Sequence, residues 1–180
     1  MNKVHFIGIG GTGISAIALL LLEKGWQVSG TDKSASRYFD AVTAKGAYTL
    51  LGHSPELALA ADVIVRSSAV RDDDPEVVTA RKMGIPVLKR NEFLPELTAG
   101  YQTLAVAGSH GKTTCTAMLV MMLRGLGMDP TFILGAQIRP LATNAHAGTS
   151  DLFVIEADEY DNMFLRSEEH TSELQSRQVI

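Results

Sequence analysis

The sequence predicts an α/β protein built from two units, each with a parallel sheet. Two observations lead to this class. Short apolar runs alternate with longer helix-forming runs, and a glycine-rich turn twice follows an apolar run and opens a helix. Alternation of strands and helices is typical of parallel sheets that carry helices on both faces. We therefore expect two successive strand–turn–helix units.

The first unit is expected over residues 1–98. Its predicted strands are residues 4–7, 27–32, 48–51, 62–68 and 85–88. Its predicted helices are residues 14–22, residues 36–45 and a helix that starts with Asp74-Pro75-Glu76. Gly25, Gly46 and Gly84 follow these helices, and glycine commonly ends a helix. A strand, a glycine turn, a helix and a second strand indicate a Rossmann-like domain.

The second unit is expected over residues 99–165, after a short helix at 92–97 and a linker at 98–100. Its predicted elements are a buried strand at 103–107, a helix at 115–126, a short strand at 132–135 and a buried strand at 151–156. Residues 166–180 form a polar tail without apolar periodicity. This tail resembles the translation of a sequencing adapter, so the natural sequence is expected to end near Leu165; the alternative is a genuine polar helix.

The overall composition excludes several classes of protein. The chain has 180 residues, 46% of them hydrophobic, which suffices for a folded core. A net charge of -4 without a basic run argues against nucleic-acid binding. A single cysteine excludes an internal disulfide, and no apolar run is long enough to span a membrane. We expect a soluble cytoplasmic protein.

The second glycine turn has the residues that bind nucleotide phosphates. Backbone N–H groups at a helix start attract phosphate, Lys112 supplies a cation, and the Thr113 hydroxyl can ligate Mg²⁺. Val106 stands where the full P-loop pattern has a glycine, so the motif is short. We expect an incomplete P-loop ATPase domain that binds ATP and Mg²⁺; the alternative is a plain turn with a surface lysine. The candidate residues are Gly108, Ser109, His110, Gly111, Lys112, Thr113 and Thr114.

The strand at 151–156 ends in acidic residues. Carboxylates stand at positions 156, 158, 159 and 161. Ligands of doubly wound sheets lie at the carboxyl ends of strands, so Glu156 is the main candidate to hold Mg²⁺ opposite Thr113. The alternative is a solvated acidic loop. Cys115, on the first turn of the helix, is expected to be a small packing residue.

The first glycine turn predicts a ligand that carries a pyrophosphate. The turn reads G-x-G-x-x-G, and an acidic residue ends the next predicted strand. NAD and a UDP-sugar both fit this pattern, and a turn without ligand is the plain alternative. Two serines end another strand at the same edge; they either bind the ligand or cap the next element. The candidate residues are Gly10, Gly11, Thr12, Gly13, Asp32, Ser67 and Ser68.

Several motifs together resemble the Mur ligase family. They lie at residues 5–15, 67–69, 108–114, 129–132 and 156–159, and the resemblance covers about residues 3–165. Two positions depart from the family pattern. Ser109 stands where the family usually has Thr, and Tyr160 where it often has Ser.

The resemblance implies an ATP-dependent ligase of peptidoglycan synthesis. Such an enzyme phosphorylates the lactoyl carboxylate of UDP-N-acetylmuramate and joins it to an amino acid. The first loop, Gly11-Thr12-Gly13-Ile14-Ser15, favours L-alanine over a recycled murein tripeptide. The resemblance also implies that Lys112 holds the β- and γ-phosphates and that Thr113 and Glu156 hold Mg²⁺. The rest of the central domain and a third domain are missing, so the chain alone is not expected to complete catalysis.

Three assignments stay open at this stage. Asn144 and His146 either face the sugar or metal, or are a loop asparagine and a surface histidine. An NAD-dependent oxidoreductase would explain the first turn and Asp32 but not the second turn. A non-catalytic nucleotide-binding module is the third possible class.

Overall fold

The structure, a computed structural model, describes residues 2–137 and 139–157. The carboxylates at 158, 159 and 161, Tyr160 and the tail at 166–180 lie outside the described residues. Within the described part, no helix is long and apolar enough to cross a membrane.

The first unit contains a five-stranded sheet in which every strand pair is parallel. Its strands are β1 (Lys3–Ile7), β2 (Gln27–Asp32), β3 (Tyr48–Leu51), β4 (Val63–Arg66) and β5 (Val87–Lys89). Their order in the sheet is β3-β2-β1-β4-β5. The order reverses between β1 and β4, and sheets of this kind bind ligands at such a reversal point. The predicted fold class is confirmed.

Five helices belong to the first unit: α1 (Thr12–Glu23), α2 (Arg37–Ala44), α3 (Pro55–Leu59), α4 (Pro75–Lys82) and α5 (Arg90–Thr98). Side chains cap the starts of α2 and α4: the Ser36 hydroxyl accepts from the Phe39 N–H, and Asp74 accepts from the Glu76 N–H. α3 was not predicted, because five residues are too few to show helical periodicity.

The short helix predicted at 92–97 is present and is slightly longer than expected. α5 includes Pro95 and ends at Thr98, and Phe93, Leu94 and Leu97 are buried in the core. These apolar contacts bind the segment to the first unit. Only residues 99–101 separate α5 from the first strand of the second sheet.

The second unit contains a four-stranded sheet and one helix within the described residues. The elements are β6 (Gln102–Val106), α6 (Lys112–Gly125), β7 (Thr131–Ile133), β8 (Ala145–His146) and β9 (Leu152–Glu156). The order is β6-β9-β7-β8, with β8 antiparallel to β7 and the other pairs parallel. β8 has two residues and was not predicted. β6 was expected to be buried; the expectation was wrong, because β6 lies at the sheet edge and is mostly exposed.

The first helix is enclosed by both sheets. α1 contacts β2 of the first sheet and β7 and β8 of the second. One core cluster joins Phe6 and Ile17 of the first unit to Phe153 and Ile155 of the second. A helix that is apolar on all sides is stable only when it is buried on all sides. The leucine-rich sequence of α1 therefore requires the second unit as well as the first.

Candidate functional site

The second glycine turn connects β6 to α6. Gly108 has φ 150° and Gly111 has φ 75°, and such values favour glycine because it lacks a Cβ. Gly111 is the N-cap of α6 and no side chain caps it, so the first-turn N–H groups remain available to an anion. The Lys112 Nζ donates to the Gly108 carbonyl at 2.7 Å. The turn therefore places a cation beside a helix N-terminus.

The structure brings Thr113 and Glu156 together, although they are far apart in the sequence. The Thr113 hydroxyl donates to Glu156 Oε2 at 3.0 Å. Glu156 ends β9, which pairs with β6, and so it reaches the first turn of α6. A hydroxyl and a carboxylate oxygen at this separation fit the oxygen ligands that Mg²⁺ prefers. The residues present therefore fit the metal that the sequence predicted.

Gly135 was not among the predicted site residues, but it holds Glu156 in place. The Gly135 N–H donates to Glu156 Oε1 at 2.6 Å. A Cβ at position 135 would lie 2.9 Å from Glu156 Oε2. Both the backbone donor and the missing side chain are needed for the observed position of the carboxylate. The sequence showed only a glycine at the end of a short predicted strand, which is a common arrangement.

The other residues of the second turn lie as follows. Ser109 and His110 are exposed on the loop, and Thr114 is exposed on the first turn of α6. Cys115 was expected to be a packing residue, and this was wrong: it is exposed, because the buried face of α6 begins at Thr116.

The first glycine turn is held by its own domain. Gly8 and Ile9 donate their N–H groups to the Thr31 carbonyl, at 2.8 and 3.1 Å. The Gly10 N–H donates to Asp32 Oδ2 at 2.8 Å, and the Ser36 hydroxyl donates to the Gly10 carbonyl at 2.9 Å. A ribose-binding role was predicted for Asp32; in the structure one of its oxygens fixes the loop.

The donors for an anion lie in the first turn of α1. The Ser15 N–H makes the first helical bond, to the Gly11 carbonyl at 2.9 Å. The N–H groups of Thr12, Gly13 and Ile14 precede that bond and point out of the helix end. Gly11 donates to the Gly8 carbonyl at 3.1 Å. Gly10 and Gly11 therefore shape the turn, while residues 12–14 offer the donors.

Ser67 and Ser68 lie at the same edge of the sheet. Ser67 is next to Gly8: a Cβ on Gly8 would be 3.1 Å from the Ser67 Cβ. The Ser67 hydroxyl also accepts from the Ala69 N–H at 3.4 Å, and Ser68 is exposed. Ser67 thus borders the turn and weakly caps the following residues.

Asn144 and His146 lie where the two units meet. Asn144 is buried, and its Nδ2 is 3.5 Å from the Thr12 carbonyl. The His146 Nδ1 lies 3.2 Å from Glu23 Oε2, and its Nε2 lies 3.1 Å from Asp129 Oδ1. Asn144 thus reaches the first glycine turn, whereas His146 bridges α1 to the second unit.

Asp129 is a charged partner in this bridge. Partial burial raises its pKa, but hydrogen bonds from the Thr149 backbone and from His146 outweigh that effect and lower the pKa overall. The ionised carboxylate therefore helps to hold the His146 ring in the position from which it reaches Glu23 of α1.

Arg90 is a second residue that the sequence analysis missed. It is the first residue of α5, and its guanidinium lies against Gly13 in α1: a Cβ on Gly13 would be 2.9 Å from the Arg90 Cζ. No local pattern connects the two positions, since only the pairing of β1, β4 and β5 brings them together.

Comparison with known proteins assigns the family. The family described as "Mur ligase family, catalytic domain" matches residues 3–102. The UDP-N-acetylmuramate–L-alanine ligase of Frankia casuarinae is 50% identical over an alignment of 170 residues that covers 91% of this chain and 34% of that protein.

Two solved structures have the same fold. The UDP-N-acetylmuramate–alanine ligase of Thermotoga maritima has a TM-score of 0.79 and 32% identity, covering 87% of this chain and 37% of that one. The UDP-N-acetylmuramate:L-alanyl-γ-D-glutamyl-meso-diaminopimelate ligase of Neisseria meningitides has a TM-score of 0.80 and 31% identity, covering 89% and 53%.

Proposed function

Because the chain belongs to the Mur ligase family, we propose that it is the front part of an ATP-dependent ligase that joins L-alanine to UDP-N-acetylmuramate for peptidoglycan synthesis. The chain spans about a third of the length of the curated relatives that it matches, so the proposed activity is that of a longer protein. One observation carries the proposal: two separate helix N-termini, those of α1 and α6, each lie behind a glycine turn. One would take a sugar nucleotide and the other ATP.

The proposed reaction forms an amide bond in two steps, of which the first activates the carboxylate. An oxygen of the lactoyl carboxylate attacks the γ-phosphorus of ATP, a new P–O bond forms, and ADP leaves. The amine of L-alanine then attacks the acyl carbon, the C–O bond to phosphate breaks, and the amine loses a proton. We place the enzyme in the cytoplasm and expect no nucleic-acid or membrane partners.

In this proposal the protein positions the phosphates and neutralises their charge. Lys112 leaves the Gly108 carbonyl and binds the β- and γ-phosphates. Thr113 and Glu156 would hold Mg²⁺, which supplies charge stabilisation at the transferring phosphoryl group. The remaining residues of the turn, 108–111 and Thr114, surround the phosphates with backbone donors. Asn144 is proposed to help bind the sugar nucleotide, because it lies at Thr12.

L-alanine is proposed as the amino acid because a relative with that activity in its name is 50% identical. A ligase for the tripeptide of cell-wall recycling is the alternative, since a protein of that kind has an almost equal TM-score. An NAD-dependent oxidoreductase is not proposed, because the chain belongs to a ligase family and because Asp32 holds the Gly10 N–H.

The proposal is tested with the longer protein, by following ADP release. We expect release to require both UDP-N-acetylmuramate and L-alanine. Replacement of Lys112 by Ala should lower turnover by about 10³-fold or more, because it removes the charge that offsets the transferring phosphoryl group. Lys82→Ala, an exposed lysine at the end of α4, is the matched control and should leave turnover unchanged.

Two results would contradict the proposal. Near-normal turnover of the Lys112 variant would contradict the proposal that the second glycine turn binds the phosphates of ATP. Faster ADP release with L-alanyl-γ-D-glutamyl-meso-diaminopimelate than with L-alanine would contradict the proposed L-alanine ligase and favour the tripeptide ligase of cell-wall recycling.

A further inference from the structure

A histidine and two carboxylates meet in the first unit, between the end of β3 and the start of α4. His53 follows β3 by two residues, Asp74 is the N-cap of α4, and Glu76 lies in the first turn of that helix. One ligand atom from each of the three lies within 4.8 Å of the other two. Within the described part of the chain, this is the one cluster of three or more histidine, cysteine or acidic side chains that meets this distance.

The three side chains are spaced like the ligands of a small metal ion. Two ligand atoms of a tetrahedral zinc ion are about 3.3 Å apart, because each lies about 2.0 to 2.1 Å from the metal. His53 Nδ1 and Asp74 Oδ2 lie 3.5 Å apart, which is close to this value. Glu76 completes the set after a movement of at most about 1.5 Å, since no pair of ligand atoms is more than 4.8 Å apart.

Both carboxylates are held by donors that leave room for a metal. Asp74 Oδ1 accepts from the Glu76 N–H at 3.0 Å, which leaves Oδ2 facing His53. Glu76 Oε2 accepts from the Thr31 hydroxyl at 2.8 Å, and Oε1 accepts from the Ser54 N–H. Each carboxylate oxygen has two lone pairs, so both oxygens of Glu76 can accept a further partner.

A buried histidine nitrogen points at the Glu76 carboxylate from the sheet. The His5 ring, in β1, is fully buried, and its Nδ1 shares a hydrogen bond with Ser29 Oγ at 2.9 Å. Its Nε2 has no hydrogen-bond partner within residues 2–137 and 139–157 and lies 3.6 Å from Glu76 Oε2. Buried polar atoms are rarely left unpaired. Carboxylates that bind a metal are themselves hydrogen-bonded by neighbouring residues, and His5 Nε2 is placed to orient Glu76 in this way.

The charges around the cluster favour a cation. The Asp74 side chain is largely buried and that of Glu76 fully buried, and among the described residues no lysine or arginine forms an ion pair with either. Buried carboxylates that lack a cation are costly. The first turn of α4 repels a cation, but Pro75 has no N–H and Asp74 caps the Glu76 N–H, so this repulsion is reduced.

We propose that His53, Asp74 and Glu76 bind one zinc-like divalent metal ion, with water as the fourth ligand. An imidazole nitrogen with two carboxylate oxygens suits zinc and similar transition metals, whereas Mg²⁺ prefers oxygen ligands. The His53 side chain is 38% exposed, so the ion can enter from the solvent. The ion is structural: it ties the loop between β3 and α3 to the start of α4. It is independent of the Mg²⁺ proposed to bind with ATP.

The test measures Zn²⁺ binding to the 180-residue chain by titration calorimetry, and unfolding by urea with and without Zn²⁺. We expect one ion per chain, bound at micromolar concentrations or below. About a hundredfold excess of Mg²⁺ should not displace it, because the imidazole ligand favours zinc. The bound ion should raise the urea midpoint, since it binds the folded chain.

Two variants remove single ligands, and one control removes a comparable histidine. His53→Ala loses the imidazole, and Asp74→Asn loses a carboxylate but keeps a side chain that caps helices well. Each should weaken Zn²⁺ binding by about 100-fold or more and abolish the shift of the urea midpoint, since loss of a supporting residue alone costs 10- to 100-fold. His146→Gln is the control: its ring also lies between two carboxylates, and Zn²⁺ binding should be unchanged.

Four results would overturn the inference. They are absence of Zn²⁺ binding to the unaltered chain, equal binding by that chain and both ligand variants, a loss in His146→Gln as large as that in His53→Ala, and displacement of Zn²⁺ by the excess of Mg²⁺. Glu76→Gln should lose Zn²⁺ as well. Because Glu76 is fully buried and its replacement lowers stability, the decision rests on His53→Ala and Asp74→Asn. ADP release by the longer protein tests the proposed function separately.

Discussion

The two glycine turns have the same local design but different surroundings. Behind the first turn, α1 is enclosed by both sheets, and eight consecutive residues from Ile14 to Leu21 are buried. Behind the second turn, α6 buries only Thr116, Ala117 and Val120. Exposed apolar side chains lie on its other face, at Met118, Met121 and Met122, and at its C-cap, Leu126. Similar sequence motifs thus give one helix inside the core and one at its surface.

The turns themselves also differ in what holds them. The first turn is fixed by groups of its own domain: the Thr31 carbonyl, the Asp32 carboxylate and the Ser36 hydroxyl. In the second turn, Lys112 binds the Gly108 carbonyl and Thr113 binds Glu156. These are the same groups that are proposed to bind ATP and Mg²⁺. The first turn is therefore preformed. In the second turn, Lys112 and Thr113 must exchange their internal hydrogen bonds for bonds to the ligand.

A large effect on ligand binding is expected from Gly135→Ala at the second turn. The added Cβ would lie only 2.9 Å from Glu156 Oε2 and would therefore displace the carboxylate. Loss of a group that orients a metal ligand typically costs 10- to 100-fold in metal affinity. We therefore expect Mg²⁺-dependent ATP binding to weaken by about 10- to 100-fold, measured by titration with and without Mg²⁺.

Gly125→Ala is the matched control for this prediction. Gly125 is in α6, and a Cβ there would meet no atom within 4 Å. The control should bind Mg²⁺ and ATP normally and leave stability unchanged or slightly higher. An unchanged Mg²⁺ dependence in Gly135→Ala would show that Glu156 does not hold the metal.

A smaller effect is expected from Glu76→Gln behind the first turn. Glu76 is fully buried; it accepts from the Thr31 hydroxyl at 2.8 Å and from the Ser54 N–H, and it lies 3.6 Å from His5 Nε2. Gln would place an amide NH₂ against one of these donors. We expect the free energy of unfolding to fall by about 1 to 2 kcal/mol at pH 7, measured by urea denaturation.

The pH dependence of this effect has a definite sign. Burial raises the Glu76 pKa, but the nearby His5 ring and the hydrogen bonds from Ser54 and Thr31 together bring it below the ordinary value of 4.5. The contribution of a lowered carboxyl pKa is present above the unfolded value and is lost as the pH falls through the folded one. The two proteins should therefore approach equal stability below about pH 4.5. A constant difference down to pH 3, or an equal loss in the exposed control Glu96→Gln, would contradict this.

The sequence predicted the parts of the fold that have strong local patterns. The five strands of the first sheet and the turn glycines with positive φ, such as Gly25 and Gly84, could be found because apolar runs and glycines mark them. The two-residue strand β8 could not, because two residues show no periodicity. The Thr113–Glu156 pair could be predicted, because a glycine turn marks the first position and an acidic strand end marks the second. The two side chains are close in the structure.

Contacts made by tertiary structure could not be predicted in the same way. Gly135 matters because its N–H meets Glu156, and Arg90 because β1, β4 and β5 are neighbours. His146 looked like a candidate ligand residue, but carboxylates from both units hold its ring. Each of these roles depends on a partner that is distant in sequence, and a single sequence read by itself gives no sign of such a partner.

The smallest effect is expected from Met122→Lys on the outer face of α6. Met122 is 64% exposed, and exposed helical positions tolerate lysine, so the free energy of unfolding should change by less than about 0.5 kcal/mol. The corresponding change in α1, Leu20→Lys, places an ammonium group in the core and should cost several kcal/mol or prevent folding. Urea denaturation of both variants measures the contrast. A loss of several kcal/mol in Met122→Lys would mean that α6 is as enclosed as α1, and the difference between the two glycine turns would then lie only in their own hydrogen bonds.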